Sequence, residues 1–231
     1  MRARRRRVLV LTAVDAERDA VMAGLSAAGR VAGGFEVVTV GAGPAAAAAG
    51  AMYALMNALA VDHVRPDLVV SAGIGGGFAP AAPVGSLAVA ESIVAADLGA
   101  QTAEGFASVA ELGFGRSEHR PPARLSRAVA DGLAAAYGPV LTVGTVTGTA
   151  SRATELADRH PGAVAESMEG FGVAEAAALV ALPVLEIRAI SNAVGPRDRA
   201  AWRIGEALAA LTAAFGKLPA VLEVEAAHDG T

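Results

Sequence analysis

Apolar runs of strand length alternate with helix-forming segments along this chain, and this alternation is what most constrains its fold. Residues 8–13, 68–72 and 184–190 are nearly continuous apolar runs, typical of strands that are buried on both faces. Residues 15–28 follow the first run and favour a helix that begins at an aspartate and ends before Gly29. We therefore predict an α/β sheet that is covered by helices on both faces.

The remaining segments continue this pattern. Further strands are expected at residues 35–40, 85–95, 140–146 and 163–168, and further helices after Pro44, at 122–136, at 171–181 and from Trp202. Residues 97–121 are rich in glycine and polar residues, so we predict a long loop there. No linker divides the 231 residues, which suit a single domain spanning residues 1–231, with residues 1–7 as a basic, disordered tail.

Composition excludes several classes of function. The net charge of −4 does not provide the basic surface that nucleic-acid binding needs. The absence of cysteine excludes thiolate chemistry, and the four histidines are scattered without metal-ligand spacing, so we predict no metal site. Glycine, proline or charge interrupts the alanine-rich stretches before bilayer length, and residues 8–14 lack a cleavage-type ending. We expect a cytoplasmic protein that does not bind membranes.

A glycine-rich turn raises the question of a cofactor. The run Gly41-Ala-Gly43-Pro-Ala-Ala46 matches a dinucleotide fingerprint, but the acid that this fingerprint requires is missing from the end of the next strand, which reads Ser71-Ala-Gly73. We therefore predict no cofactor. Glycines that follow strands, such as Gly43 and Gly73, still let a backbone approach a sugar or an anion closely, and a plain tight turn is the alternative.

Polar side chains follow several of the predicted strands, where α/β folds bind ligands. Glu169 follows an apolar run, and a buried carboxylate needs hydrogen-bond donors such as sugar hydroxyls. Glu17 lies in the first turn after the first strand, where a solvated helix-start carboxylate is the alternative. Asn192 ends the apolar run that contains Arg188. These residues define a candidate site.

Two short motifs carry a resemblance to a known superfamily. Ser167-Met-Glu-Gly170 and Arg188-Ala-Ile-Ser-Asn192 are similar to motifs of the nucleoside phosphorylase and nucleosidase superfamily, and most similar to its purine nucleosidase branch, next to methylthioadenosine/S-adenosylhomocysteine nucleosidases. Within that branch, residues 191–199 resemble the futalosine hydrolases. The resemblance implies a three-layer α/β/α sandwich around a central mixed β-sheet, and a homodimer.

The resemblance also implies roles for individual residues. Glu17 matches the residue that activates the attacking water, and Met168 and Glu169 match the pair that holds the ribose. The purine is expected beside a loop, Ile74 replaces a serine that borders the ribose, and an aromatic residue covers the 5′ pocket. The loop corresponds here to Thr149, Ser151 and Arg152, and the aromatic residue corresponds to Trp202.

Asn192 is the informative departure from the adenine-specific nucleosidases, which have an aspartic acid there as general acid. An amide cannot supply that proton, but it carries N–H donors. Hypoxanthine presents acceptors at both N7 and O6, whereas adenine presents a donor at its 6-amino group. We therefore expect a 6-oxopurine leaving group, with Asn192 at the catalytic position. Ser191 and Asp198 are further candidates for assisting the departure of the purine.

Futalosine, the expected substrate, carries a benzoate group at its 5′ end. A carboxylate is best matched by arginine, and the candidates are Arg116, Arg120, Arg197 and Arg199. The expected reaction is hydrolysis of the N-glycosidic bond of futalosine in menaquinone biosynthesis, which releases hypoxanthine and dehypoxanthine futalosine.

Three alternatives to this hydrolase remain. They are a purine nucleoside phosphorylase, for which Arg18 would bind phosphate, a methylthioadenosine/S-adenosylhomocysteine-type nucleosidase, and a non-catalytic nucleoside-binding protein.

Overall fold

The computed structural model describes residues 6–29, 34–61 and 63–228. Its strands are β1 (Val8–Thr12), β2 (Phe35–Thr39), β3 (Leu68–Gly77), β4 (Leu87–Ala95), β5 (Gly99–Thr102), β6 (Gly105–Ser108), β7 (Glu118–His119), β8 (Ala136–Thr142), β9 (Ala165–Ser167) and β10 (Val184–Ala193). Its α-helices are α1 (Asp15–Ala27), α2 (Pro44–Met56), α3 (Ala123–Leu133), α4 (Ala150–Arg159), α5 (Gly170–Leu179) and α6 (Ile204–His228). A π-helical turn, Asn57–Val61, extends α2, and a 3₁₀ turn, Arg199–Ala201, precedes α6.

The first strand shows why helices cover both faces of the sheet. Side chains alternate across a strand, so Val8 and Val10 enter one core cluster, together with residues of α1, α3 and α6. Leu9 and Leu11 enter a second cluster, with residues of α2 and α5. Every residue of β1 is buried, as expected for a strand between two helical layers. The prediction of an α/β/α sandwich is confirmed.

The sheet is mixed, as predicted. Strand β3 pairs in parallel with β1 and with β10, and antiparallel with β9. Strand β4 pairs antiparallel with β10 and in parallel with β8, which in turn pairs with β9. These pairings form a closed ring of five strands, in the order β3, β9, β8, β4 and β10. The carboxyl ends of β1, β3 and β10 meet at one edge.

The structure corrects three local expectations. The segment 97–121 is not simply a loop, because β5 and β6 form a hairpin there and β7 pairs with β4. Gly73 does not follow a strand or form a tight turn, because residues 73–77 are the last part of β3, paired with β10. Helix α4 was not anticipated; it begins after Thr149, whose hydroxyl caps the helix by accepting the Arg152 N–H at 3.2 Å.

The expected basic tail is described only in part. Residues 1–5 lie outside the described residues. The Arg7 N–H donates to Asp67 Oδ2 at 2.8 Å, which places Arg7 against the beginning of β3.

Two helices are longer and more apolar than the sequence suggested. Pro44–Val61 and Ile204–Ala226 have the length and composition of a membrane span, so the expectation that the apolar stretches are interrupted before bilayer length was wrong for them. Both contribute to the cores of the sandwich. Ala47, Ala51 and Leu55 of α2 are fully buried, as are Leu211 and Phe215 of α6. Packing on the sheet accounts for the buried apolar side chains of these helices, while others, such as Tyr53, are exposed.

Candidate active site

A cavity of about 330 Å³ opens at the carboxyl ends of β3 and β10, beside the start of α1. This is the edge of an α/β sheet where ligands bind, and the volume suits a small organic molecule. The structure brings six of the predicted site residues together in its lining, namely Glu17, Ile74, Met168, Glu169, Asn192 and Trp202.

Three backbone N–H groups hold the Glu17 carboxylate. Glu17 is in the first turn of α1, and its Oε2 accepts the N–H of Ala13 at 2.9 Å and of Val14 at 3.3 Å. Its Oε1 accepts the Ile74 N–H of β3 at 2.8 Å. The side chain is only 4% exposed, and this burial raises the pKa of Glu17, while Arg188 and the N–H donors oppose the rise. Glu17 is therefore a buried carboxylate held by three N–H donors rather than a solvated helix-start residue.

Glu169 is held from two sides at the start of α5. Its Oε1 accepts the Gly43 N–H at 3.1 Å, and its Oε2 accepts Nη1 of Arg188 at 3.2 Å. The glycine that resembles a dinucleotide fingerprint therefore serves to anchor a carboxylate. Both partners leave Glu169 at the cavity wall, with acceptor lone pairs for the hydroxyls of a sugar.

Arg188 connects the carboxylates and is fully buried. Its Nε donates to Glu186 Oε1 at 2.9 Å, and its Nη2 donates to Ser71 Oγ at 2.9 Å. Gly73 is needed at this point, because a Cβ there would lie 2.8 Å from Arg188 Nη1. A buried guanidinium requires such partners. The sequence motif located Arg188 but gave it no role, and Glu186 was missed.

Asn192 is oriented by its neighbour. The Ser191 hydroxyl donates to Asn192 Oδ1 at 2.8 Å, while Asn192 Nδ2 donates to the Ala193 carbonyl at 3.0 Å. Because Ser191 engages the amide oxygen, the amide nitrogen is the side that offers a remaining donor. The Ser191 hydroxyl also lies 3.2 Å from the Gly75 carbonyl, at the edge of β3.

Ser191 and Arg197, two further candidates, also line the cavity, whereas the predicted loop residues and glycines lie outside its lining. Thr149, Ser151 and Arg152 belong to the start of α4, where Thr149 Oγ1 lies 3.2 Å from Ser151 Oγ and Arg152 pairs with Glu155 at 2.8 Å. The segment just before α4 instead contributes Val146 and Thr147 to the cavity lining. Gly43 and Gly73 do not line the cavity themselves. Gly43 donates its N–H to Glu169, and Gly73 lies against Glu17.

Glu166 is a lining residue that the sequence analysis did not select. It lies in β9 and is 5% exposed, and Thr147 holds it through its N–H, which donates to Oε1 at 2.8 Å, and through its hydroxyl, which donates to Oε2. Burial raises the pKa of Glu166, and the Thr147 donors oppose this. The sequence feature that could have identified Glu166 is a carboxylate inside a short strand whose other residues are apolar or small.

The arrangement suits cleavage of a nucleoside. Breaking an N-glycosidic bond develops positive charge on the sugar and negative charge on the base, and fixed carboxylates beside the sugar stabilise that distribution. Within the described ranges, no group of three histidine, aspartate or glutamate side chains is arranged to hold a metal ion.

Comparison with known proteins defines the class. The family model of the Phosphorylase superfamily matches residues 16–223. The methylthioadenosine/S-adenosylhomocysteine nucleosidase of Neisseria meningitidis, solved with methylthio-immucillin-A, has the same fold, with a TM-score of 0.72 at 18% identity over 95% of this chain and 99% of that one. The chain is an N-glycosyl hydrolase of this superfamily.

Two curated relatives identify the family more closely. A futalosine hydrolase of Streptomyces coelicolor is 60% identical over 96% of this chain and 99% of its own length. A futalosine hydrolase of Acidothermus cellulolyticus is 42% identical over 92% of this chain and 90% of its own. The chain belongs to the futalosine hydrolase family, which confirms the resemblance of residues 191–199.

Proposed function

We propose that this chain hydrolyses the N-glycosidic bond of futalosine and releases hypoxanthine and dehypoxanthine futalosine, a step of menaquinone biosynthesis. The observation that carries the proposal is the placement of two anchored carboxylates, Glu17 and Glu169, and an oriented amide, Asn192, around one cavity. The family supports it, because futalosine hydrolases match nearly the full chain.

Each group has a distinct part in the reaction. Glu169 binds the ribose hydroxyls, and Glu17 accepts the proton of a water molecule that attacks C1′ as the bond to the purine breaks. The departing purine takes the bonding electrons, and the Asn192 N–H stabilises the charge at its N7 and O6 edge. The net reaction adds the hydroxyl of water to C1′ and its proton to the base.

Arg197 is the arginine that we assign to the 5′ carboxylate of futalosine. It lines the cavity, and its guanidinium carbon lies 5.7 Å from the centre of the Trp202 ring. Arg116 and Arg120 instead pair with Glu175 at 3.7 Å and Glu118 at 2.7 Å, respectively. A cavity arginine beside an aromatic ring matches a benzoate in both charge and shape.

Hydrolysis is favoured over phosphorolysis by the position of Arg18. Its Nη1 lies 2.8 Å from Asp15 Oδ1 and its Nη2 lies 2.8 Å from Asp19 Oδ1, and it does not belong to the cavity lining. An arginine that is paired with two aspartates outside the cavity is poorly placed to bind phosphate beside the ribose.

We further propose that the chain is a cytoplasmic homodimer. Large apolar side chains are exposed on helices α2 and α5, which pack against each other: Tyr53 is 71% exposed and Leu179 is 76% exposed. Monomers rarely expose large apolar patches, so a second copy is the expected cover. Light scattering tests this, since a monomeric mass at micromolar concentration would contradict it.

One assay tests the proposed reaction. The purified chain is incubated with futalosine, inosine and methylthioadenosine, with and without phosphate, and released bases and sugars are identified. We expect hypoxanthine from futalosine at a rate that phosphate does not change. Formation of a sugar 1-phosphate would indicate a phosphorylase, release from methylthioadenosine alone would indicate an adenine-specific nucleosidase, and no release would indicate a binding protein.

A further inference from the structure

Two polar side chains flank a glycine in one row across the sheet. Gly76 of β3 pairs with Glu166 of β9 on one side and with Asn192 of β10 on the other. Paired residues of neighbouring strands project to the same face, and two strand spacings separate the outer Cα atoms by about 10 Å. Glu166 and Asn192 therefore face each other across a strand position that has no side chain.

Gly76 keeps this gap open. A Cβ at this position would lie 2.9 Å from Val194 Cγ2 and 3.3 Å from Asn192 Nδ2, so any other residue would fill the space beside the amide. All three residues of the row line the cavity. Glu17 bonds the N–H of Ile74 and Glu169 bonds Gly43 and Arg188, so neither belongs to this row. With both assigned to the ribose in the proposed function, the row is left for the base.

The two side chains differ in hydrogen-bonding character. Asn192 offers its Nδ2 donor, because its oxygen is engaged by Ser191. Glu166 already receives the N–H and the hydroxyl of Thr147, one on each oxygen, and therefore acts as an acceptor. Each carboxylate oxygen keeps a further lone pair for another donor. The gap thus presents a donor on one side and an acceptor on the other.

This polarity matches one class of purine. A 6-oxopurine presents acceptors at O6 and N7 along one edge and an N–H donor at N1 next to them, whereas a 6-aminopurine presents an acceptor at N1. We propose that Glu166 accepts the N1–H of a 6-oxopurine while Asn192 donates to its O6 or N7, which makes Glu166 a specificity-determining residue of this site. The inference rests on the proposed function and assigns a second residue to base selection.

Binding of free bases tests this without any substitution. We expect calorimetry to show that the protein binds hypoxanthine at least tenfold more tightly than 1-methylhypoxanthine, which lacks the N1–H but keeps O6 and N7, and more tightly than adenine. Equal affinity for hypoxanthine and 1-methylhypoxanthine would overturn the proposal, because Glu166 would then receive no donor from N1.

A variant pair assigns the effect to Glu166. In Glu166→Gln the amide nitrogen can donate to N1 of adenine, so we expect the ratio of hypoxanthine to adenine affinity to fall at least tenfold. Glu91→Gln makes the same change at an exposed position of β4 and should leave the ratio unchanged. A folded Glu166→Gln protein with the wild-type ratio would contradict the assignment.

Thr147→Val separates base recognition from anchoring of the loop. It removes the hydroxyl bond to Glu166 but keeps both the backbone N–H and the carboxylate, so the hypoxanthine-to-adenine ratio should fall less than in Glu166→Gln. A change in the hypoxanthine-to-adenine ratio as large as that of Glu166→Gln would assign selectivity to the loop. Failure of the inference is distinct from failure of the proposed function: a protein that hydrolyses futalosine but tolerates N1 methylation refutes only the former.

Discussion

Arg188 donates from Nε to Oε1 of Glu186, two residues before it on β10, at 2.9 Å, and both side chains are fully buried. The same guanidinium donates from Nη1 to Glu169 at the cavity wall. Ser167 adds its hydroxyl to Glu186 Oε1 at 2.9 Å. Glu169, the carboxylate at the cavity wall, is thus positioned by an arginine that a second, fully buried carboxylate holds in place.

Gly170 makes room for this hidden carboxylate. A Cβ at this position would clash with both oxygens of Glu186, so Gly170→Ala should lower the free energy of unfolding by about 1–3 kcal/mol, as overpacking of a core does. Denaturant titration measures this. Gly205→Ala is the matched control, since a Cβ in that turn of α6 meets nothing within 4 Å. Equal stability of the two variants would contradict the prediction.

If Glu17 is the proposed base, Glu17→Gln should lower kcat by about 10²- to 10⁴-fold. The amide keeps the size of the side chain but cannot accept the proton of the attacking water. Steady-state hydrolysis of futalosine measures the change, and calorimetry with hypoxanthine should show that the base still binds. A variant with more than one tenth of the wild-type kcat would exclude Glu17 as the base.

The pH profile should report the buried position of Glu17. The base must be ionised, and burial raises the pKa of Glu17, so kcat/KM should fall as the pH falls through a value above the ordinary pKa of glutamic acid. Glu186→Gln removes a negative charge beside Arg188, which strengthens the positive field at Glu17. The acid limb of the Glu186→Gln profile should therefore shift to lower pH, whereas a shift to higher pH would refute this coupling.

Arg197→Gln should raise the KM for futalosine about 10- to 100-fold, because a charge-assisted hydrogen bond to the 5′ carboxylate is lost. The KM for inosine, which has no such carboxylate, should stay unchanged. Arg120→Gln is the control, since Arg120 pairs with Glu118 at 2.7 Å. An equal rise for both substrates would show that Arg197 shapes the cavity rather than binds the carboxylate.

The sequence predicted the sandwich because its signals are local. Apolar runs such as residues 8–13 reveal buried strands, and the motifs around Glu169 and Asn192 fix the family. The partners of these residues could not be predicted, because they arise from strand pairing. Glu166 faces Asn192 only because both pair with Gly76, and the glycines of β3 resemble a turn until their pairing with β10 is known.

The contacts that hold the cavity together span most of the chain. Ile74 reaches Glu17 across 57 residues, Ser71 reaches Arg188 across 117, and Gly43 reaches Glu169 across 126. These contacts form only when β3 has paired with β1 and β10, so we expect nucleoside binding to require the assembled sheet. Ligand binding and global folding are therefore linked, and hypoxanthine should raise the melting temperature by an amount that grows with the logarithm of its concentration once that exceeds Kd.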